Sequence, residues 1–240
     1  HPPWRLPQWS GYGANTPVLA DAAPRAGFFN AMADDDGVVR RVPAVAQVDG
    51  QLRASLALSL WHEATGRPEV TAETAPAALS NGAPELTALR FKTPDGASRR
   101  LPLDDHGALR VPFRGPGGLS GGSFRYVPAI RLLDGQEPAG SLASQWVLIG
   151  SSAPGMADLR ATPVHPAMPG VEVHAHLLAG LLAGNMPYRP SWAPGFEAAQ
   201  LLLVLALSAW IASRWGANWA LAAAVAIGLA FANVFQPGAG

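Results

Sequence analysis

The chain of 240 residues balances 17 Lys and Arg against 17 Asp and Glu, so it has no net charge and offers no surface suited to nucleic acid or anionic lipid. Its apolar fraction of 49% is too high for disorder, and its 23 prolines and 26 glycines are spread between strand-like runs, which describes a folded domain with long loops. The absence of cysteine excludes a disulfide scaffold but not an oxidising compartment.

Residues 1–25 carry Pro2, Pro3, Pro7, Pro17 and Pro24 with Trp4, Trp9 and Tyr12, and read as an extended cover. Ala26 to Asn30 reads as a short strand, Asp34-Asp35-Asp36-Gly37 as a turn and Val38 to Val48 as a long strand, together an antiparallel hairpin. Period two places Val38, Arg40, Val42, Ala44, Ala46 and Val48 on one face. Arg40 then points inward and needs a carboxylate, while Arg41 is free on the other face. The acidic run has calcium-like chemistry, but Ala44 to Asp49 supplies no closing glutamate, so a solvated turn is the reading.

Ala54 to Thr65 sets Leu56, Leu60 and Ala64 at helical spacing beside Ala57 and Trp61, and Gly66 and Pro68 stop it. Leu86 to Thr93, Ser98 to Leu103 and Ala108 to Phe113 are short strands separated by turn sequences, a β-meander. The glycines from Gly115 to Gly122 lack the lysine and the strand-to-helix setting of a phosphate cradle and read as a connector. Val127 to Asp134 comes next as a short helix or turn.

Trp146 to Gly150 is a continuous apolar run, as in a strand buried on both faces, and Val171 to Ala183 is a helix between Pro169-Gly170 and Gly184. Strand, loop and helix make half of a parallel α/β unit, whose ligands gather in the loop Ser151 to Pro163. A nucleophile elbow would need a closing glycine that Gly150-Ser151-Ser152-Ala153-Pro154 lacks, so Ser151 and Ser152 read as backbone caps and no catalytic residue is assigned. His174 and His176, two residues apart on a helix, are rotated by about 200° and cannot face one ion, so no metal or other cofactor is assigned. One histidine is expected to pack with Leu178 and the other to meet solvent.

From Ala198 to Gly240 the only ionisable side chain is Arg214, in a turn between the apolar runs Phe196 to Ser213 and Trp219 to Phe235. Each run is just long enough, at about 1.5 Å per residue, to cross a hydrocarbon core of about 30 Å, and neither has a polar face. A membrane hairpin is expected, with residues 191–215 and 216–236 as its two helices. Arg214 in the turn places that turn in the cytoplasm and residues 1–190 outside the cell. Ala220, Ala224, Gly228 and Ala232 form a small-residue stripe suited to helix packing. The chain starts at His1 without a leader and stops just after a membrane helix, so it reads as a fragment of a larger protein.

Gly27-Phe28-Phe29-Asn30, then Asp34 to Arg41, Ser55-Leu56-Ala57-Leu58, Val147 to Gly155, Asp158 to Pro163 and Pro169 to His176 recur in an order that resembles the second type of CHASE domain. The resemblance runs over residues 26–183. It implies a mixed-sheet α/β sensor domain with antiparallel hairpins followed by membrane helices, placed on the inner membrane of a bacterial receptor. It further implies an adenylate or guanylate cyclase output, otherwise a histidine or serine/threonine kinase, with a homodimeric parent and a small-molecule or periplasmic signal. The family's usual first half and any effector domain are missing, so one flank of the sheet is expected to be open. The resemblance brings no ligand residues with it. Asp36, Arg40, Ser151, Ser152, Asp158, Arg160 and His174 are therefore ligand-binding or switch candidates on chemistry alone. An ion pair is expected between Arg40 and Asp158, or between Arg160 and Asp36, tying hairpin to loop.

Overall fold

The computed structural model describes residues 6–11, 13, 16–22, 25–76, 84–92, 96–104, 106–117, 122–151, 158–189, 192–215, 219 and 225. These form two compact units, His1–Tyr188 and Arg189–Gly240. The first is a mixed α/β domain whose described strands make four small sheets.

The expected cover is partly regular: β1 (Gln8–Trp9) and α1 (Pro17–Ala22) lie within it. Trp4 and Tyr12 fall outside the described residues. The expected hairpin forms with a different first strand, β2 (Met32–Ala33), which pairs antiparallel with β3 (Val39–Pro43) across the acidic turn. The turn is closed by the Asp34 amide donating to the Val38 carbonyl at 3.0 Å and the Gly37 amide to the Asp34 carbonyl at 2.8 Å. The long strand is split at Ala44, after which β4 (Val45–Val48) joins another sheet. There it pairs in parallel with β1 and antiparallel with β5 (Gln51–Ala54). Asp49 and Gly50 between them both take positive φ, 48° and 75°, as a two-residue turn matched to strand twist requires.

Helix α2 (Leu56–Ala64) starts at Ser55 and buries Ala57, Leu58 and Trp61. Thr65 closes it by donating its hydroxyl to the Trp61 carbonyl at 2.9 Å. The β-meander differs from expectation. Strand β6 (Glu69–Pro76), absent from the expected set, pairs with β7 (Pro84–Lys92), and β7 with β8 (Ser98–Pro102). The third expected strand, β9 (Ala108–Arg110), leaves for the β2–β3 sheet and pairs Val42 with Leu109. The turn at Asp104 redirects the chain: its Oδ1 accepts from the amides of His106 at 3.0 Å and Ala108 at 2.8 Å.

Helix α3 (Ala129–Leu133) is short and buries no residue. The run Trp146 to Gly150 is extended but not a strand, and its side chains face solvent, with Ile149 95% exposed. A strand buried on both faces exists only between two paired neighbours, and no described strand pairs with this run. The parallel α/β unit is absent from the described residues as well. After the run come β10 (Leu159–Thr162) and β11 (His165–Pro169), an antiparallel hairpin, and then α4 (Gly170–Ala183).

Helix α4 ends in a Schellman motif. Gly184 is left-handed at φ 73°, its amide donates to the Leu181 carbonyl at 3.3 Å and that of Asn185 to the Gly180 carbonyl at 3.1 Å. One apolar core joins the pieces, with Val39, Val42, Leu89, Phe91, Leu101 and Leu109 from the strands meeting Leu58 and Trp61 of α2 and Val173, Leu177 and Leu181 of α4. Trp61 sets its ring edge-on to Phe91 at 4.7 Å, and the Arg99 guanidinium lies 5.2 Å over it.

The second unit contains α5 (Ala193–Trp215), 23 residues long. Its stretch Gly195–Arg214 is long and apolar enough to cross a membrane, and none of its described residues is buried. Most of the second expected membrane helix, and the whole small-residue stripe, lie outside the described residues.

Candidate functional site

Two polar assemblies occupy the first unit. The first grows from the hairpin β2–β3. Its register slips between Met32 and Ala33, which pair with Arg41 and Val39, so Arg40 is an extra residue that breaks the expected alternation. Val39 and Val42 are buried, and both arginines turn to the acidic turn, half-buried. Arg40 donates from Nη1 to Asp34 Oδ2 at 2.9 Å and from Nη2 to Asp36 Oδ2 at 2.7 Å. Arg41 is not free: it donates from Nη2 to Asp34 Oδ1 at 2.7 Å and from Nη1 to Asp104 Oδ2 at 2.9 Å.

Arg41 thus clamps the hairpin turn to the turn that launches β9. Hydrogen bonds from Arg40 hold the Asp36 carboxyl down at about 2, and Arg41 above all lowers that of Asp34. The paired carboxylates in return raise both guanidinium groups. Each arginine has its charge answered, so an anion could enter only by displacing a carboxylate.

Arg40 therefore does not reach Asp158, nor Arg160 Asp36. Asp158, half-buried, and Arg160, exposed, lie two residues apart at the start of the β10–β11 hairpin and pair with each other in a long contact of 3.5 Å. The Asp158 carbonyl accepts from the Gly170 amide at 2.8 Å, which fixes the N-terminus of α4 to β10. Ser151 is half-buried at the end of the extended apolar run, and Ser152 falls outside the described residues.

The second assembly is on α4, and both its histidines are buried, where one was expected to meet solvent. Helix α4 packs against α2 on one side and against the segments before β2 and after β9 on others, so its opposite faces are both covered. His174 Nε2 sits 2.9 Å from the Phe29 carbonyl. A carbonyl only accepts, so Nε2 carries the proton and Nδ1, with no partner among the described residues, is the bare nitrogen.

His176 is fully enclosed, with the rings of Phe113 at 5.3 Å and Phe124 at 4.8 Å edge-on to it. One turn earlier, Glu172 is 2% exposed, and the Tyr126 hydroxyl donates to its Oε2 at 2.7 Å. Its Oε1 lies 3.9 Å from His176 Nε2. A side chain at Gly117 would collide with Glu172 Oε2 at 2.6 Å, so the loop lies flat on the carboxylate and excludes water from it. Desolvation pushes both imidazoles below their ordinary pKa, and burial with the Glu172 bond pushes the Tyr126 phenol up.

Glu172, Tyr126 and His176 are not among the sequence candidates. The available signal is the four-residue spacing of Glu172 and His176, which puts them on one helix face; the spacing of His174 and His176 does not. Tyr126, 46 residues before Glu172, carries no sequence signal. Among the described residues no group of three or more His, Cys, Asp or Glu is placed to hold a metal ion.

The family model of the CHASE2 domain matches residues 8–212, from β1 through nearly all of α5. Neither the curated proteins nor the solved structures contain a match to the chain. A CHASE2 domain is an extracellular, non-catalytic sensor domain of signalling receptors. With the match covering most of its length, the chain belongs to the CHASE2 domain family.

Proposed function

We propose that residues 1–190 form the extracytoplasmic sensor of a bacterial inner-membrane receptor. Residues 191–215 and 216–236 cross the membrane as a hairpin, a third crossing after Gly240 returns the chain to the cytoplasm, and the sensor controls a cytoplasmic adenylate or guanylate cyclase. The parent receptor is a homodimer, and its signal is a small molecule or other periplasmic stimulus. The observation that carries this reading is the continuity of the family match from the folded domain into the bare apolar helix α5.

The anchoring of α5 is consistent with a span. Its 23 residues give a length of roughly 35 Å at 1.5 Å each. Trp192 lies just before one end and Arg214 and Trp215 at the other, where aromatic and basic residues favour the interface. Glu197, the acidic residue near the outer end, is paired by Arg189 at 2.6 Å.

Reporter fusions test the topology. A fusion in the turn 215–218 is expected to report cytoplasm, and one after Gly240 the outside; the reverse pattern would sink the model. A histidine or serine/threonine kinase is the second output that the family resemblance carries. The coding sequence downstream of Gly240 and cyclic-nucleotide accumulation in cells making the whole receptor separate the two.

A further inference from the structure

The enclosed Glu172–His176 pair on α4 plays no part in anchoring or topology, and it is a costly thing to place in a core. A fully buried imidazole normally spends at least one nitrogen on a hydrogen bond, because leaving polar atoms unpaired costs about 1–3 kcal/mol. His176 has neither ring nitrogen paired among the described residues, and its nearest ionisable neighbour is a buried carboxylate at 3.9 Å. That distance is too long for a hydrogen bond and short enough to become one after a small movement. The carboxylate meanwhile is held by Tyr126, which belongs to the segment 122–128 lying over the helix.

We propose that Glu172 and His176 are a proton-sensing element: a proton taken up from solvent by His176 pulls Glu172 Oε1 toward the ring, and the shift of the carboxylate weakens the Tyr126 bond to Oε2 that holds the segment 122–128 to α4. This rests on the sensor reading and names protons as a stimulus of the same domain. The two states differ in where the Glu172 carboxylate leans. With His176 neutral, Tyr126 and Glu172 hold segment to helix. With His176 charged, the imidazolium closes on Glu172 Oε1 as an ion pair within one turn of α4, and the Tyr126 bond to Oε2 is stretched and weakened.

The charges that face His176 are few. Glu172 on its own helix favours the proton, and Arg114, from the segment after β9, opposes it. Tyr126 faces Glu172 rather than the ring. From α2, His62 is engaged with the Pro68 carbonyl at 3.0 Å and Glu63 with Arg67 at 3.0 Å and with Arg25. From β11, His165 Nδ1 accepts the Ala167 amide at 3.1 Å, and Arg125 beside Tyr126 is paired with Glu137. His174 is the internal comparison: it is buried too, but its bond to Phe29 and the distant pull of Asp158 leave it no carboxylate to capture.

The direction of the pH dependence comes from burial. Desolvation lowers the folded pKa of His176 below the unfolded value of about 6.5, so its stabilising effect is complete above that pH and is lost as pH falls toward the folded value. Within that window the unfolding equilibrium constant rises by up to about tenfold per pH unit.

The experiment uses the full chain in lipid nanodiscs, with hydrogen exchange and histidine NMR between pH 7.5 and 5. Amides of residues 122–128 are expected to lose protection on acidification in the native chain and to be unresponsive in His176→Phe. In Glu172→Gln, which keeps an acceptor for Tyr126 but no charge, the His176 resonance is expected to titrate at lower pH than in the native chain. A His176 resonance that does not move between pH 7.5 and 5, or equal pH dependence of residues 122–128 in all three chains, would overturn the proposal. The NMR arms on the native chain and Glu172→Gln stand even if His176→Phe fails to fold. These readouts need no receptor output, so they fail independently of the topology fusions that test the sensor reading.

Discussion

Among the charged residues, position in the network decides what each is worth. Asp34 serves two guanidinium groups and Asp36 one, and Asp36 stands in solvent where screening weakens any pair. Asp34→Asn is therefore expected to cost roughly 1–3 kcal/mol, since it takes a partner from both arginines and leaves Arg41 with Asp104 alone, while Asp36→Asn lowers the melting temperature far less. The lowered carboxyl pKa values also set the acid limit: stability from these pairs is present above the unfolded value of about 3.9 and is lost as pH falls toward about 2 for Asp36. Desolvation of His174 and His176 adds a separate loss of stability as pH falls below about 6.5. Thermal melts of the two variants at pH 7, 4 and about 2.5, beside the native chain, check both points.

At the scale of elements, helices α2 and α4 are cut to length by local chemistry that is plain in the sequence. Ser55 and Gly66 bracket α2, and Pro169 and Gly184 bracket α4. Gly184→Ala is expected to destabilise by about 1 kcal/mol, because a side chain in the left-handed region is strained and the Schellman bonds depend on that geometry. It also crowds Arg99, whose Nη2 donates to the Leu181 carbonyl at 2.7 Å. A urea titration measures it; a change below about 0.3 kcal/mol would show that the cap carries no weight. Strands are less legible. The period-two pattern of Val38 to Val48 runs straight through a one-residue bulge at Arg40, and such an insertion reverses the face of the residues beyond it without altering composition.

At the scale of the whole domain, one core holds the four small sheets around α2 and α4, but a band of apolar side chains stays outside it. Trp146, Val147 and Ile149 are exposed, as are Ile130 and Leu133 of α3. Since none of them belongs to the core, the double change Trp146→Ser and Ile149→Lys is expected to leave the melting temperature within about 2 °C and to reduce hydrophobic-dye binding and aggregation. A large fall in melting temperature would mean that the run packs in solution.

Local, one-dimensional signals were enough to establish the stop and apolar face of α2, the span of α4, the acidic turn, the apolar length of α5 and the ordered motifs that mark the family. These come from propensity, periodicity and composition, which a chain carries without reference to its partners. Folding in three dimensions settled the rest. Only pairing could send β9 to the β2–β3 sheet, leave Trp146 to Gly150 without an edge, and turn Arg40 to Asp34 and Asp36 instead of Asp158. Only packing on both sides of α4 could enclose His174 and His176 together, and only a contact spanning 46 residues could bring Tyr126 to Glu172. The physical reason is common to all of them: strand edges, ion-pair partners and burial are properties of two surfaces that meet, and a single segment specifies only one of the two.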